Sequence, residues 1–244
     1  MADLMDHQTF RVLVKAPELD VRVDAPPDIS PEEERRVAEL WNSPARPATA
    51  FDGELLIFDG IVDHQEIPLV KAYFSPYRFF WAQRRGLVLH RRLCPLSVSG
   101  VIILDIEGEQ TVVLGRRSSI VEQYSGVWEF IPSGSIDRRA IKESGNIDYT
   151  GQLLLELEEE IGIGVNQIKA MKPLGLIHDL VDDVIDVCLA LELEPGWNEL
   201  HPALSLSPEY DEVLLAPAKE VQTMVADGMR LVPTSLGILD LLEL

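Results

Sequence analysis

The chain has 244 residues and a mass of 27.3 kDa, is 46% hydrophobic and 25% charged, and sets 21 Lys and Arg against 41 Asp and Glu for a formal charge of −20. These values exclude a disordered or collagen-like chain and argue against a binder of nucleic-acid polymers, which needs clustered cations to neutralise phosphates. The longest run without a charged side chain, Leu93 to Leu104, has twelve residues, far short of the roughly 20 that a membrane-spanning helix needs.

The opening residues, MADLMDHQTF, carry acids where a secretory signal needs a basic start and an apolar centre. With Cys94 and Cys188 the only cysteines, the expectation is a cytoplasmic protein with reduced thiols and no contact with membranes. Phe10 to Ala16 alternates as a strand, and Ser30-Pro31-Glu32-Glu33-Glu34 opens a helix running to about Trp41 with an N-cap, a first-turn proline and first-turn acids. A loop over Asn42 to Ala50 follows, then strands at Glu54–Phe58 and Pro68–Tyr73. Phe74 to Arg92, aromatic and then basic, reads as an amphipathic helix with its rings in the core.

Near Pro95 the texture changes, which predicts a boundary between an N-terminal α+β region, residues 1–95, and a second domain, residues 96–244. The second part is strand-rich: VSGVIIL, TVVLGRR, VWEFIP and the hairpin LGLIHDLVDDVIDVCLALEL, with one clear helix from about Asp148 to Gly162 and a strand leading into a C-terminal helix at EVLLAPAKEVQTMV. Strands around a single acidic helix predict an α+β fold of the α/β/α sandwich type.

That acidic helix holds the chemistry. Glu156, Glu159 and Glu160 stand at i, i+3 and i+4 and share one face, while Leu154, Leu157 and Ile161 share an adjacent apolar one. Like charges at this spacing repel by about 0.2–0.5 kcal/mol per pair on an exposed helix, a cost that a bound cation removes. Gly162 suits a left-handed cap. Taken alone, the segment reads equally as a solvated acidic stripe.

The segment Leu155-Glu156-Leu157-Glu158-Glu159-Glu160-Ile161-Gly162-Ile163, with the upstream VVLGRRSSIVEQYSGVWEFIPSG, resembles the Nudix hydrolases. Their box reads G-x5-E-x7-R-E-U-x-E-E-x-G-U, where U is aliphatic. The resemblance covers residues 98 to 244 and implies a Nudix-type α/β/α sandwich. It further implies Mg2+ (or Mn2+) held by Glu156, Glu159 and Glu160 as the catalytic, metal-binding residues, with Glu156 or Glu160 also a candidate base. Arg116, Arg117, Trp128, Glu129 and Gly134 are the matching candidates for substrate binding. The implied activity is magnesium-dependent pyrophosphohydrolysis of a nucleoside diphosphate linked to another group, a small-molecule nucleotide substrate.

The match departs from the pattern in two places. The box arginine is Leu155, which donates no hydrogen bond. Gly134 precedes Glu156 by twenty-two positions, seven more than the pattern, the surplus lying in DRRAIKESGNID, so the first box glutamate has no clean equivalent, with Glu143 or Asp148 as the candidate substitute, or neither. Acids at Asp179, Asp182, Asp183 and Asp186, or at Glu209, Asp211 and Glu212, are further candidates for the metal shell, and His178 reads as structural. The N-terminal region, with Phe51-Asp52-Gly53 and YFSPYRFF, is similar to the extra domain of the Nudix enzymes that cleave UDP-glucose and UDP-galactose, which implies a nucleotide sugar as substrate. The competing readings are a catalytically impaired nucleotide-binding or sensor module, and a structural or homodimer-forming role for residues 1–95.

Overall fold

The computed structural model describes residues 8–47, 50–62, 66–194 and 207–243; the first seven residues of the opening MADLMDHQTF and positions 48–49 of the loop read over Asn42 to Ala50 lie outside them. Eleven strands and five α-helices stand in the described part. In the first third these are β1 (Phe10–Lys15), β2 (Asp20–Val23), α1 (Pro31–Trp41), β3 (Glu54–Val62), β4 (Leu69–Pro76) and α2 (Tyr77–Arg84). The middle holds β5 (Leu96–Ile106), β6 (Glu109–Arg117), β7 (Trp128–Phe130), β8 (Ser133–Ser135) and α3 (Tyr149–Ile161). The last part holds β9 (Ile168–Asp179), β10 (Val184–Leu193), β11 (Tyr210–Pro217), α4 (Val221–Ala226) and α5 (Pro233–Leu242).

The large sheet runs β1-β9-β10-β5-β6-β11, with β7 on β6 and β8 on β5; a small sheet runs β2-β4-β3. β5 and β10 are parallel, and the other pairs of the large sheet are antiparallel. Alternation along β5 puts Val98, Ile102 and Leu104 into one cluster with α3 residues Leu153, Leu157 and Ile161 and with Val21, Val70 and Phe74 of the small sheet. Val101, on the opposite face, packs with Ile238, Leu239 and Leu241 of α5. The architecture is mixed α+β, a sheet between helical layers, as the sequence predicts.

Local expectations hold where local chemistry decides them. Ser30 caps α1 by accepting from Glu33 N at 3.2 Å. Gly162 ends α3 at φ 74°; the structure adds a cap at the other end, where Asp148 accepts from Gly151 N at 3.2 Å. Three readings are corrected. The helix expected over Phe74–Arg92 is confined to α2: Phe74 to Pro76 complete β4, and Gly86 at φ 86° closes the helix with Leu87 N donating to Ala82 O at 3.1 Å. The strand at residues 54–58 extends to Val62. A second C-terminal helix, α5, starts at Pro233 where the sequence reading ended with α4. β1, which precedes the boundary near Pro95, pairs with β9 in the large sheet. Both thiols are free, Cys188 buried and Cys94 half-buried.

Because Asp148 accepts from Gly151 N and the Thr150 hydroxyl, Asp148→Ala should cost about 1 kcal/mol. A thermal melt should show Tm falling by roughly 2–4 °C for a chain of this size.

Candidate active site

The face of α3 that carries the three glutamates meets β8, and the contact depends on a missing side chain. A Cβ on Gly134 would stand 2.2 Å from Glu156 Cδ, so only glycine lets that carboxylate lie on the strand backbone. Gln152, one turn earlier, donates from Nε2 to Glu156 Oε1 at 2.7 Å. Ser133 N donates to both carboxylate oxygens of Glu160 at 3.3 Å. Glu159 is exposed, Glu156 half-buried and Glu160 buried. Burial pushes Glu156 and Glu160 above the usual carboxylate range, Glu160 strongly, with Glu159 adding to the rise at Glu156 and Glu129 to that at Glu160.

These residues border an open cleft of about 470 Å³ whose described lining includes eight carboxylates: Glu129, Asp137, Glu156, Glu159, Asp179, Asp182, Asp186 and Glu209. Arg117 and Arg139 are the two cations of that lining. Arg117, at the end of β6, donates from Nη1 to Glu129 Oε1 at 2.5 Å and from Nε to Gln123 O at 3.0 Å, and Tyr210 OH adds a bond to the same Glu129 oxygen at 2.9 Å. Burial pushes Glu129 up despite these partners. Asp186, fully enclosed, accepts from Ser99 Oγ at 3.0 Å and Thr234 Oγ1 at 2.7 Å. Asp179 accepts from Tyr124 OH at 2.5 Å and from Val181 N and Asp182 N.

Of the residues singled out in the sequence, Arg117, Glu129, Gly134, Glu156 and Glu159 line this cleft, and Glu160 backs it through Ser133. Arg116, one residue from Arg117 and therefore on the other face of β6, pairs with Glu212 at 3.2 Å. Trp128 packs in the cluster on the α5 side of the sheet. Asp179, Asp182, Asp186 and Glu209 line the cleft, whereas Asp183, Asp211 and Glu212 do not. Asp148 is engaged as a helix cap and by Lys142, and Glu143 is exposed outside the cleft.

Sequence reasoning did not single out Asp137, Arg139, Gln152, Ser99 or Thr234. Arg139 is the informative omission. Its guanidinium bonds Asp137 at 2.6 Å, and its pKa is raised first by Asp137 and then by the fields of Glu159 and Glu156. It lines the cleft that holds those carboxylates while bonded to Asp137, whereas Leu155 is exposed on α3. The signal available was the pair Arg138-Arg139 at the start of the surplus segment; which of the two turns to the cleft was not readable, and Arg138 pairs instead with Glu54.

The donor set fits a hard divalent cation. All the candidate ligands are oxygens, the Gly134 cradle fixes one of them, and Gln152 Oε1 is buried with no hydrogen-bond partner beside Glu156. Among the described residues no helix is long and apolar enough to cross a membrane.

No family model and no curated protein matches the chain. Solved structures to which it is similar include the Nudix domain of Shewanella oneidensis NrtR complexed with ADP ribose, at 17% identity over 66% of this chain and 96% of that one, TM-score 0.47. A C. elegans Ap4A hydrolase binary complex is 15% identical over 61% of this chain and 92% of that one, TM-score 0.40. S. oneidensis NrtR complexed with a 27mer DNA is 17% identical over 60% and 59%, TM-score 0.40. At these identities and scores, the functional reading rests on the residues of the cleft.

Asp186 offers a test of the cleft's electrostatics. Burial raises it from 3.8 to about 6, so the folded state binds its proton more tightly than the unfolded chain. The stability this contributes is fully present below about pH 4 and is lost as pH rises through about 6. Asp186→Asn should therefore be more stable relative to wild type at pH 7 than at pH 4, measured as the difference in Tm at each pH.

Proposed function

We propose that this chain is a Nudix-type, magnesium-dependent pyrophosphohydrolase acting on a nucleoside diphosphate linked to a further group, a nucleotide sugar or a similar conjugate. One observation carries the reading: the three co-facial glutamates of α3 lie at a cleft of eight carboxylates, with Gly134 making room for Glu156. Glu156, Glu159 and Glu160 would hold the cation. When bound, Mg2+ neutralises charge on the diphosphate and lowers the pKa of water.

The chain's own groups have separate tasks. Glu156 lines the cleft, and burial raises its proton affinity, which suits it to take the proton as water adds to phosphorus and the P–O anhydride bond breaks. Gln152 fixes the rotamer of Glu156 through its 2.7 Å hydrogen bond. Arg139 supplies the cation that steadies Glu156 and Glu159, the task the resemblance gives to the residue replaced by Leu155. Arg117, braced by Glu129 and Gln123, has guanidinium donors left for a phosphate oxygen.

The N-terminal region, residues 1–95, is assigned to the far group of the substrate, and the Nudix domain proper to 96–244. In support, a hollow of about 220 Å³ shares Ser97, Arg117, Gln123 and Ser135 with the acidic cleft and is walled by Leu55, Tyr77 and Phe80. An aromatic wall next to the phosphate chemistry favours a conjugate with a ring beyond the diphosphate over a nucleoside triphosphate. The charge of −20 supports a small-molecule substrate over a polymer. A cytoplasmic location belongs to the same reading.

A second reading, a nucleotide sensor without turnover, is favoured by Leu155 and by the absence of Glu143 and Asp148 from the cleft. Screening nucleotide sugars, dinucleotides and triphosphates for release of a nucleoside monophosphate with and without Mg2+ separates the two, since cleavage of a diphosphate conjugate yields two phosphomonoesters and no inorganic phosphate. Release confined to Mg2+ and greatest for a conjugate supports the enzyme; ligand-induced thermal stabilisation with no release supports the sensor.

Glu159→Gln should lower turnover by at least about 100-fold while Tm holds or rises slightly, because a repulsive carboxylate is lost. Unchanged turnover would move the chemistry off α3. Gly134→Ala should drive Glu156 from its seat and raise the Mg2+ concentration needed for half-maximal rate at least about tenfold, measured by titrating Mg2+ at fixed substrate.

A further inference from the structure

Away from the cleft, three side chains that the proposed reaction does not use meet at the tip of the β9–β10 hairpin. Cys94 comes from the segment entering β5, His178 from the end of β9 and Asp183 from the turn, where it adopts a left-handed φ of 61°. A single oxygen, Asp183 Oδ1, faces both the Cys94 thiol at 3.4 Å and His178 Nε2 at 2.9 Å. The three ligand atoms all lie within 4.8 Å of one another. Arg92 holds the other oxygen, Oδ2, at 2.5 Å.

We propose that Cys94, His178 and Asp183 form a binding site for a thiophilic divalent metal ion of the Zn2+ class, distinct from the oxygen-lined cleft. One thiolate, one imidazole and one carboxylate make a zinc-type donor set, whereas Mg2+ and Ca2+ take oxygen ligands. With bonds of about 2.0–2.3 Å, the edges of a tetrahedral zinc site come to roughly 3.2–3.8 Å. The contacts of 2.9 and 3.4 Å stand within a few tenths of an ångström of that. His178 and Asp183 keep 19% and 14% of their side-chain surface exposed, which leaves solvent access for a fourth ligand.

The thiol and imidazole protons point at one carboxylate oxygen, where a cation would otherwise stand. Burial and the Asp183 carboxylate push the Cys94 thiol up to about 12, so the metal-free site keeps the proton and the metal must displace it. On binding, the thiol proton leaves to solvent and sulfur ligates as thiolate. The imidazole proton that faced Asp183 leaves Nε2 to solvent while Nδ1 carries one, so that His178 ligates through the Nε2 lone pair and Asp183 through Oδ1. Two negative ligands then balance a divalent ion, and Arg92 retains Oδ2 as an outer partner. Such a site would staple the segment entering β5 to a hairpin whose Asp179 and Asp182 line the catalytic cleft.

The full chain, with Mg2+ in excess to fill oxygen sites, is titrated with Co2+ as the spectroscopic probe. The expected result is one equivalent bound with a thiolate-to-cobalt charge-transfer band that Zn2+ displaces. Cys94→Ser should abolish the band, Cys188→Ala should leave it, and His178→Gln or Asp183→Asn should weaken Co2+ binding at least about tenfold. X-ray absorption at the zinc edge of the wild-type protein, which needs no variant, should show one sulfur at about 2.3 Å. Absence of a charge-transfer band, a band that survives Cys94→Ser, or a zinc shell of oxygen and nitrogen alone would overturn the proposal. None of these readouts depends on hydrolase activity, so the zinc-class site and the hydrolase reading can fail separately.

Discussion

Four carboxylates withdrawn from water around one cleft, Glu129, Glu160, Asp179 and Asp186, set the terms for much of the structure. A buried carboxylate is tolerated only when hydrogen bonds or counter-charges replace its hydration. Each of the four has its own solution: the Arg117 guanidinium and Tyr210 hydroxyl for Glu129, a strand N–H for Glu160, a tyrosine and a turn for Asp179, two hydroxyls for Asp186. The partners come from β5, β6, β8, β11, α5 and the loops between, so the cleft and the sheet are assembled together. Two glycines shape the same cleft. Gly134 admits Glu156, and Gly115, where a Cβ would stand 2.6 Å from the Tyr210 ring, admits the tyrosine that bonds Glu129.

Two backbone hydrogen bonds join the small sheet to the segment before α3: Ile147 N donates to Val21 O at 2.7 Å and Val23 N to Gly145 O at 3.2 Å. Beside them the side-chain hydroxyl of Tyr149, the first residue of α3, donates to Leu19 O at 3.0 Å. The segment between Gly134 and α3 is therefore tied to the small sheet. Arg138 pairs with Glu54 of β3, and its neighbour Arg139 turns to the glutamates of α3. The segment between Gly134 and α3 and the small sheet are thus packed as one unit. The shared cluster of Val21, Val70, Phe74, Leu153 and Leu157 makes the same connection through apolar packing.

What the sequence by itself determined is what short-range chemistry decides. The span of α3, its Gly162 cap, and the common face of Glu156, Glu159 and Glu160 follow from a period of 3.6 residues and one capping residue, with no information from elsewhere in the chain. Most strands of the large sheet were readable from their local apolar pattern, but not β8, whose Ser133-Gly134-Ser135 carries no apolar residue. The two-residue period also places Arg116 and Arg117 on opposite faces of β6, but which face looks into the cleft depends on β7 and β11 packing beside it. Only the tertiary structure decided that Arg117, and not Arg116, meets Glu129. It likewise decided that Asp186 and Asp179 turn inward while Asp183 joins Cys94 and His178, and that β1 crosses to β9. These pairings link residues up to 169 positions apart, as Phe10 and Asp179 are. They are selected by the packing of whole sheets and by the need to satisfy buried charge, neither of which leaves a periodic mark on the segment that carries the residue.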